Sequence, residues 1–143
     1  MQPVSRMFNV HGVPIAMPRP RFSKGRVYRD KDHAVHAWKQ EINLACRLAF
    51  AGIDPIQGPV SLTAVFVMPR PNKMLARKYP DGRFYHTAKP DTDNLIKAVK
   101  DAMTGIAYDD DAQVCAEYVT KYYQAKLNDQ PGVHILISRL ETL

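Results

Sequence analysis

The nine residues Val60–Met68, VSLTAVFVM, constrain the fold more than any other stretch of the chain. Val60, Leu62, Ala64, Phe66 and Met68 alternate, and a period of two lines one face of a strand. Val65 and Val67 make the other face apolar too, which predicts a central strand with a neighbour on each side. The rest of the chain must then supply pairing strands and covering helices. Residues 7–15 read as a first strand ended by Pro14 and Pro18. Asp32 is placed to cap a helix running to about residue 51, with Val35, Trp38, Ile42, Ala45 and Ala49 forming one apolar stripe. Gly52, Pro55, Gly58 and Pro59 break the chain before the central strand. Thr92–Met103 reads as a second helix with Leu95, Val99, Ala102 and Met103 inward and Gly105 as its stop. Residues 114–124 and 133–140 read as strands joined by the turn Asn128-Asp129-Gln130-Pro131-Gly132. The order β-α-β-α-β-β predicts one α+β domain over residues 1–143, a mixed and mostly antiparallel sheet packed with two helices.

A chain of 143 residues is the size of one domain. No apolar run approaches the roughly 18 residues of a membrane span, and the N-terminal segment lacks the apolar core of a secretory signal, so a cytoplasmic location is expected. Cys46 and Cys115 form no CxxC pair, which excludes a disulfide framework or a four-cysteine zinc site. The net charge is +6, and a basic chain of this kind favours a polyanionic partner, nucleic acid before membrane. The distribution of that charge is more informative than its sum. Residues 18–31 carry Arg19, Arg21, Lys24, Arg26, Arg29 and Lys31 in a predicted loop or ribbon. Residues 69–90, a long loop punctuated by four prolines, carry Arg70, Lys73, Arg77, Lys78, Arg83 and Lys89. Loops of that length inside a small domain are usually functional. Tyr28, Phe84 and Tyr85 stand among these cations, either to stack on unpaired bases or to anchor the loops on the core.

Half of the acids concentrate elsewhere. Seven of the 14 fall between Asp91 and Glu117, in KPDTDNLIKAVKDA and the following YDDDAQV. Asp91 and Asp93 flank the start of the second helix. Inside a regular helix their side chains would diverge by about 200°, but where the first is still extended both can point at one spot. Lys97 follows Asp93 by one turn on the same face. Carboxylates repel one another unless a cation neutralises them, and hard oxygen ligands select Mg²⁺, which is readily shared with substrate phosphates. A neighbouring lysine stays charged and can stabilise a phosphate in reaction. Taken one at a time, these residues have plainer uses: Asp91 as an N-cap, Asp93 and Lys97 as a surface ion pair, the triple Asp as a solvated turn. An EF-hand is excluded, because Ile96 stands where that loop needs glycine and Ala102 where it needs glutamate. His33 and His36 lack further ligands nearby, and His86 has no sequence context that marks it as a catalytic base.

The pattern Asp91-x-Asp93-Asn94-Leu95-x-Lys97-Ala98-x-x-Asp101-Ala102, followed by Asp110-Asp111-Ala112-Gln113-Val114, closely resembles RusA-type Holliday-junction resolvases, small and often prophage-encoded endonucleases. The likeness is most specific over residues 89–114, and the order of elements extends it along the chain. It implies a Mg²⁺-dependent crossover junction endodeoxyribonuclease that nicks four-way DNA in pairs during recombination and repair. It also implies three metal-binding aspartates and one essential lysine. Matched residue by residue, these are Asp91, Asp93 and Asp111, with Asp110 the alternative to Asp111, and Lys97. The resemblance further implies a homodimer, whose two-fold axis suits the symmetry of a four-way junction. Arg19, Arg21, Lys24, Arg26, Arg77, Lys78, Arg83 and Lys89 are the expected DNA contacts. The reading from a different class is a catalytically silent protein that binds junctions or single strands.

Overall fold

The computed structural model describes residues 4–18, 21–23, 26–28 and 33–141. Strand β1 (Ser5–His11) is followed by the short strands β2 (Arg21–Ser23) and β3 (Arg26–Tyr28), then helix α1 (His33–Ala49) and strand β4 (Val60–Met68). Strand β5 (Phe84–Tyr85), helix α2 (Thr92–Met103), strand β6 (Val114–Tyr123) and strand β7 (Gly132–Arg139) complete the chain, with 3-10 turns at Asn72–Leu75 and Asp111–Gln113. Five strands form one mixed sheet in the order β1-β7-β4-β6-β5, and β2 and β3 form a separate antiparallel ribbon. Among the described residues no helix is long and apolar enough to cross a membrane.

The α+β class, the two helices and the central place of β4 are as the sequence predicts. Strand β4 pairs with β7 antiparallel and with β6 parallel. A parallel pair needs a crossover, and α2 lies in it. The strands β6 and β7 follow one another in sequence yet do not form a hairpin, because β4 lies between them. One face of the sheet carries the core: Val60, Leu62, Ala64, Phe66 and Met68 of β4 cluster with Val133, Ile135 and Ile137 of β7 and with both helices. Helix α1 contributes Val35, Trp38, Ile42 and Cys46 at spacings of three and four; α2 contributes Leu95, Ile96, Ala98, Val99, Ala102 and Met103. Among the described residues no helix covers the opposite face, which exposes Met7, Tyr118 and Leu136.

Boundaries move where backbone geometry intervenes. Strand β1 ends at His11 rather than running to Ile15, because Gly12 takes φ +137°, a conformation that side-chain-bearing residues rarely adopt. Gly132 must be glycine for a different reason: a Cβ there would overlap the Val10 carbonyl oxygen across the β1–β7 pairing. Gly105, at φ +87°, follows the end of α2 as expected. The proposed cap Asp32 lies outside the described residues. The basic segment 18–31 contains the β2–β3 ribbon, and β5 is a strand that the proline-rich sequence around it concealed.

Candidate active site

The site begins where the long loop runs into α2. Arg70, at the root of that loop, is buried and donates to the carbonyls of Gln124, Met74, Pro80 and Gly82 at 2.7 to 3.0 Å. Its guanidinium also lies 4.9 Å from the Phe84 ring centre. A buried guanidinium with its donors matched to peptide carbonyls is satisfied, and it makes a compact unit of a loop that lacks regular structure. Phe84 packs on Tyr123 with ring centres 4.9 Å apart, so it anchors the loop; Tyr85 stacks on Tyr122 at 5.0 Å but stays exposed. Sequence reasoning counted Arg70 as one more loop cation and missed this role. The clue was its place two residues after the central strand.

The loop then follows β6. The His86 amide donates to the Lys121 carbonyl at 3.1 Å, and the Lys121 ammonium donates to the carbonyls of Ala88 and Pro90 at 2.6 and 2.7 Å. Asp91 comes next. It occupies the N-cap position of α2 with extended backbone, φ −76° and ψ 152°, and its carbonyl accepts the first helical bond from the Leu95 amide. Its carboxylate does not cap the helix. Both oxygens accept instead from the Lys89 ammonium, each at 3.1 Å. Asp93 lies in the first turn, exposed, with one oxygen accepting from the Asn94 amide at 2.9 Å. Lys97 is exposed one turn further along, and no ion pair joins it to Asp93. Two carboxylates and a lysine therefore stand at the positive end of a helix dipole, turned to solvent. The ammonium of Lys89 straddles both oxygens of Asp91, so this carboxylate already faces a cation. Hard oxygen donors of this kind fit Mg²⁺.

The triple Asp stands at the other end of α2. That helix has 12 residues and is about 18 Å long at 1.5 Å per residue. Tyr108, whose hydroxyl donates to the Lys100 carbonyl at 2.8 Å, ties the triple-Asp loop to the last turn of α2. Burial pushes the Tyr108 hydroxyl well above the usual phenol range, with Asp111 and Asp101 adding to the shift. Among the described residues no three acids, histidines or cysteines converge in a way that could hold a metal ion. Asp91 and Asp93 thus stand at the first turn of α2, and the loop that leads to Asp111 is tied to its last turn. The members of the triple Asp also differ in kind. Asp109 accepts from the Gln57 amide at 3.0 Å. Asp110 is the N-cap of the turn Asp111–Gln113, accepting from the Ala112 amide at 2.9 Å while Gln113 bonds back to its own amide. Asp111 is half-buried, and its carboxylate accepts no hydrogen bond from a described residue.

The expected DNA contacts fall into three groups. Arg77 and Lys78 are exposed, Lys78 lying 5.4 Å from the Tyr79 ring centre. Arg83 and Lys89 are exposed but engaged, by Asp129 and Asp91 respectively. Arg19 and Lys24 lie outside the described residues; Arg21 and Arg26 fall on the β2–β3 ribbon, with their side chains outside the description. His86 is buried against Tyr123 with ring centres 4.4 Å apart. Burial first, and the Lys121 charge second, hold its pKa below the usual imidazole range, so it is neutral at pH 7. His36 lines a shallow cleft with Lys39 and Asp101, while the His33 side chain lies outside the description.

Comparison with known proteins adds two findings. The family model of the endodeoxyribonuclease RusA matches residues 11–138. A Bacillus subtilis (strain 168) protein described as uncharacterized protein YqaN is 34% identical over 137 residues, covering 91% of this chain and 93% of that protein.

Proposed function

This chain belongs to the RusA endodeoxyribonuclease family, and from that premise we propose a Mg²⁺-dependent nuclease that resolves four-way DNA junctions by paired nicks. The observation that carries the reading is the setting of Asp91 and Asp93 at the exposed N-terminus of α2, with Lys97 one turn on. Bound Mg²⁺ supplies charge to the phosphate in reaction and lowers the pKa of water beside it. Asp91 and Asp93 would hold that ion by their carboxylate oxygens, in place of the Lys89 ammonium now on Asp91. Lys97 orients the scissile phosphate and offsets the charge that develops on it. Arg77, Lys78 and the basic ribbon hold the flanking backbone and release counterions.

Asp111 is the proposed third ligand, and the tie of its loop to the last turn of α2 gives the expected homodimer a chemical task. A second copy related by a two-fold axis can bring its Asp111 to the α2 N-terminus of the first, and the reverse, which yields two equivalent sites. Paired sites match paired nicks.

The test is a synthetic mobile junction incubated with the protein and Mg²⁺. Symmetric nicks that vanish in Asp91→Asn support the reading. Tight binding with every strand intact supports the silent junction-binding alternative instead.

A further inference from the structure

We infer that Lys121 is a positioning residue for Asp91. This rests on the reading of Asp91 as a metal ligand, and it concerns how the fold aims that carboxylate.

Lys121 stands opposite Phe66 in the β4–β6 pairing. Its neighbours two residues away, Val119 and Tyr123, are apolar or aromatic, and the strand face they share is the one that packs toward the helices. An ammonium on such a face costs free energy unless its donors are matched. Here two of its three N–H donors are matched by Ala88 and Pro90 carbonyls, at 2.6 and 2.7 Å. These are charge-assisted bonds at the short end of the range. The Lys121 carbonyl meanwhile accepts from the His86 amide. One residue of β6 thus grips the incoming segment at positions 86, 88 and 90, every second residue, and the last of these grips acts on the peptide group that joins Pro90 to Asp91.

That peptide sets the direction in which the Asp91 side chain leaves the backbone. A carboxylate reaches about 3.5 Å from its Cα, so a 30° rotation of the preceding peptide moves its oxygens by about 2 Å. Misplacements of about 1 Å can cost roughly 100-fold in rate. Asp91 does not cap α2 with its side chain. The Lys89 pair is exposed and contributes little to rigidity. The bonds from Lys121 are the part of this framework that is anchored in the sheet.

The experiment compares Lys121→Met, which keeps the aliphatic stem and loses the donors, with Lys121→Arg, which keeps donors. Asp91→Asn serves as the reference. Mn²⁺ binding by electron paramagnetic resonance, Mg²⁺-dependent cleavage and metal-free junction affinity are measured for each. We expect Lys121→Met to bind Mn²⁺ about 10-fold more weakly and to cleave about 10 to 100-fold more slowly, the range seen for residues that orient metal ligands. Its metal-free junction affinity should stay within about twofold of the parent protein, and Lys121→Arg should recover most of the loss. Unchanged Mn²⁺ binding and cleavage in Lys121→Met overturns the proposal. So does a matching fall in metal-free junction affinity, which would make Lys121 a phosphate contact. If Lys121→Met does not fold, hydrogen exchange of the amides at residues 87–92 in Lys121→Gln decides: faster exchange confined to that segment supports the role, and unchanged exchange ends it. Full cleavage by Asp91→Asn would instead overturn the site assignment, and the exchange result would still report on the grip.

Discussion

Arg83 closes a two-pronged ion pair on Asp129, its Nε and Nη2 lying 2.9 and 2.8 Å from the two carboxylate oxygens. The pair fastens the long loop, just before β5, to the turn between β6 and β7. Asp129 also accepts the amides of Ala125 and Gln130, at 2.8 and 3.0 Å. The Arg83 bond leads these causes in holding the Asp129 carboxyl down at about 2.

The sign of the resulting pH dependence is fixed. The folded-state pKa lies below the unfolded value, so the stabilisation is fully present above about pH 4 and is lost as pH falls toward 2. Its size is about 2 kcal/mol. Urea unfolding of Asp129→Asn should show a deficit of that order at pH 7 that narrows steadily below pH 4. A deficit that stays constant down to pH 2.5 would mean that the carboxylate's charge contributes nothing.

Asp110 and Asp111 separate by role. Asn caps a helical turn about as well as Asp, so Asp110→Asn should cleave normally, while Asp110→Ala should lose about 1 kcal/mol of stability. Asp111→Asn should lose cleavage by about 1,000-fold and keep metal-free junction binding. If two copies share each site, mixing Asp91→Asn with Asp111→Asn restores one intact site per mixed dimer, and nicking of one strand returns. Two inactive proteins that stay inactive when mixed would place the whole site within one chain.

Lys97→Ala separates chemistry from attraction. Lys97 is exposed and holds no partner among the described residues, so its removal should leave the fold and the junction affinity nearly unchanged. Single-turnover cleavage should fall by about 100-fold or more, because the lost interaction acts on charge developing in the transition state. A large affinity loss with an unchanged single-turnover rate would make Lys97 a phosphate anchor.

Salt dependence tests the basic loops. Log affinity should fall with log salt by about 0.9 for each phosphate neutralised. Replacing Arg77 and Lys78 with Ala should make that slope shallower by nearly two units, and adding Arg19→Ala and Arg21→Ala should lower it further. Arg83→Ala should change it less, since two nitrogens of that guanidinium, Nε and Nη2, already donate to Asp129. Slopes equal to that of the parent protein would place the DNA on another surface.

The sequence by itself determined the central strand and the second helix. The alternation in Val60–Met68 and the helical stripe in Thr92–Met103 are local periodicities, and a period is legible wherever one face must be buried. The motif around Asp91 was legible for the same reason, since its residues lie within two helical turns. Tertiary structure alone decided the rest. Nothing local says that β4 inserts between β6 and β7, because strand order depends on which apolar faces meet after the crossover. Nothing local says that Arg70 and Lys121 turn inward onto peptide carbonyls while Arg77 and Lys78 face solvent. A cation's use depends on which unpaired acceptors the fold brings beside it, and those acceptors come from up to 54 residues away in sequence. The same holds for Asp91 and Asp111. Read as a string they form one cluster, but the fold sets Asp91 at the first turn of α2 and ties the triple-Asp loop, through Tyr108, to its last.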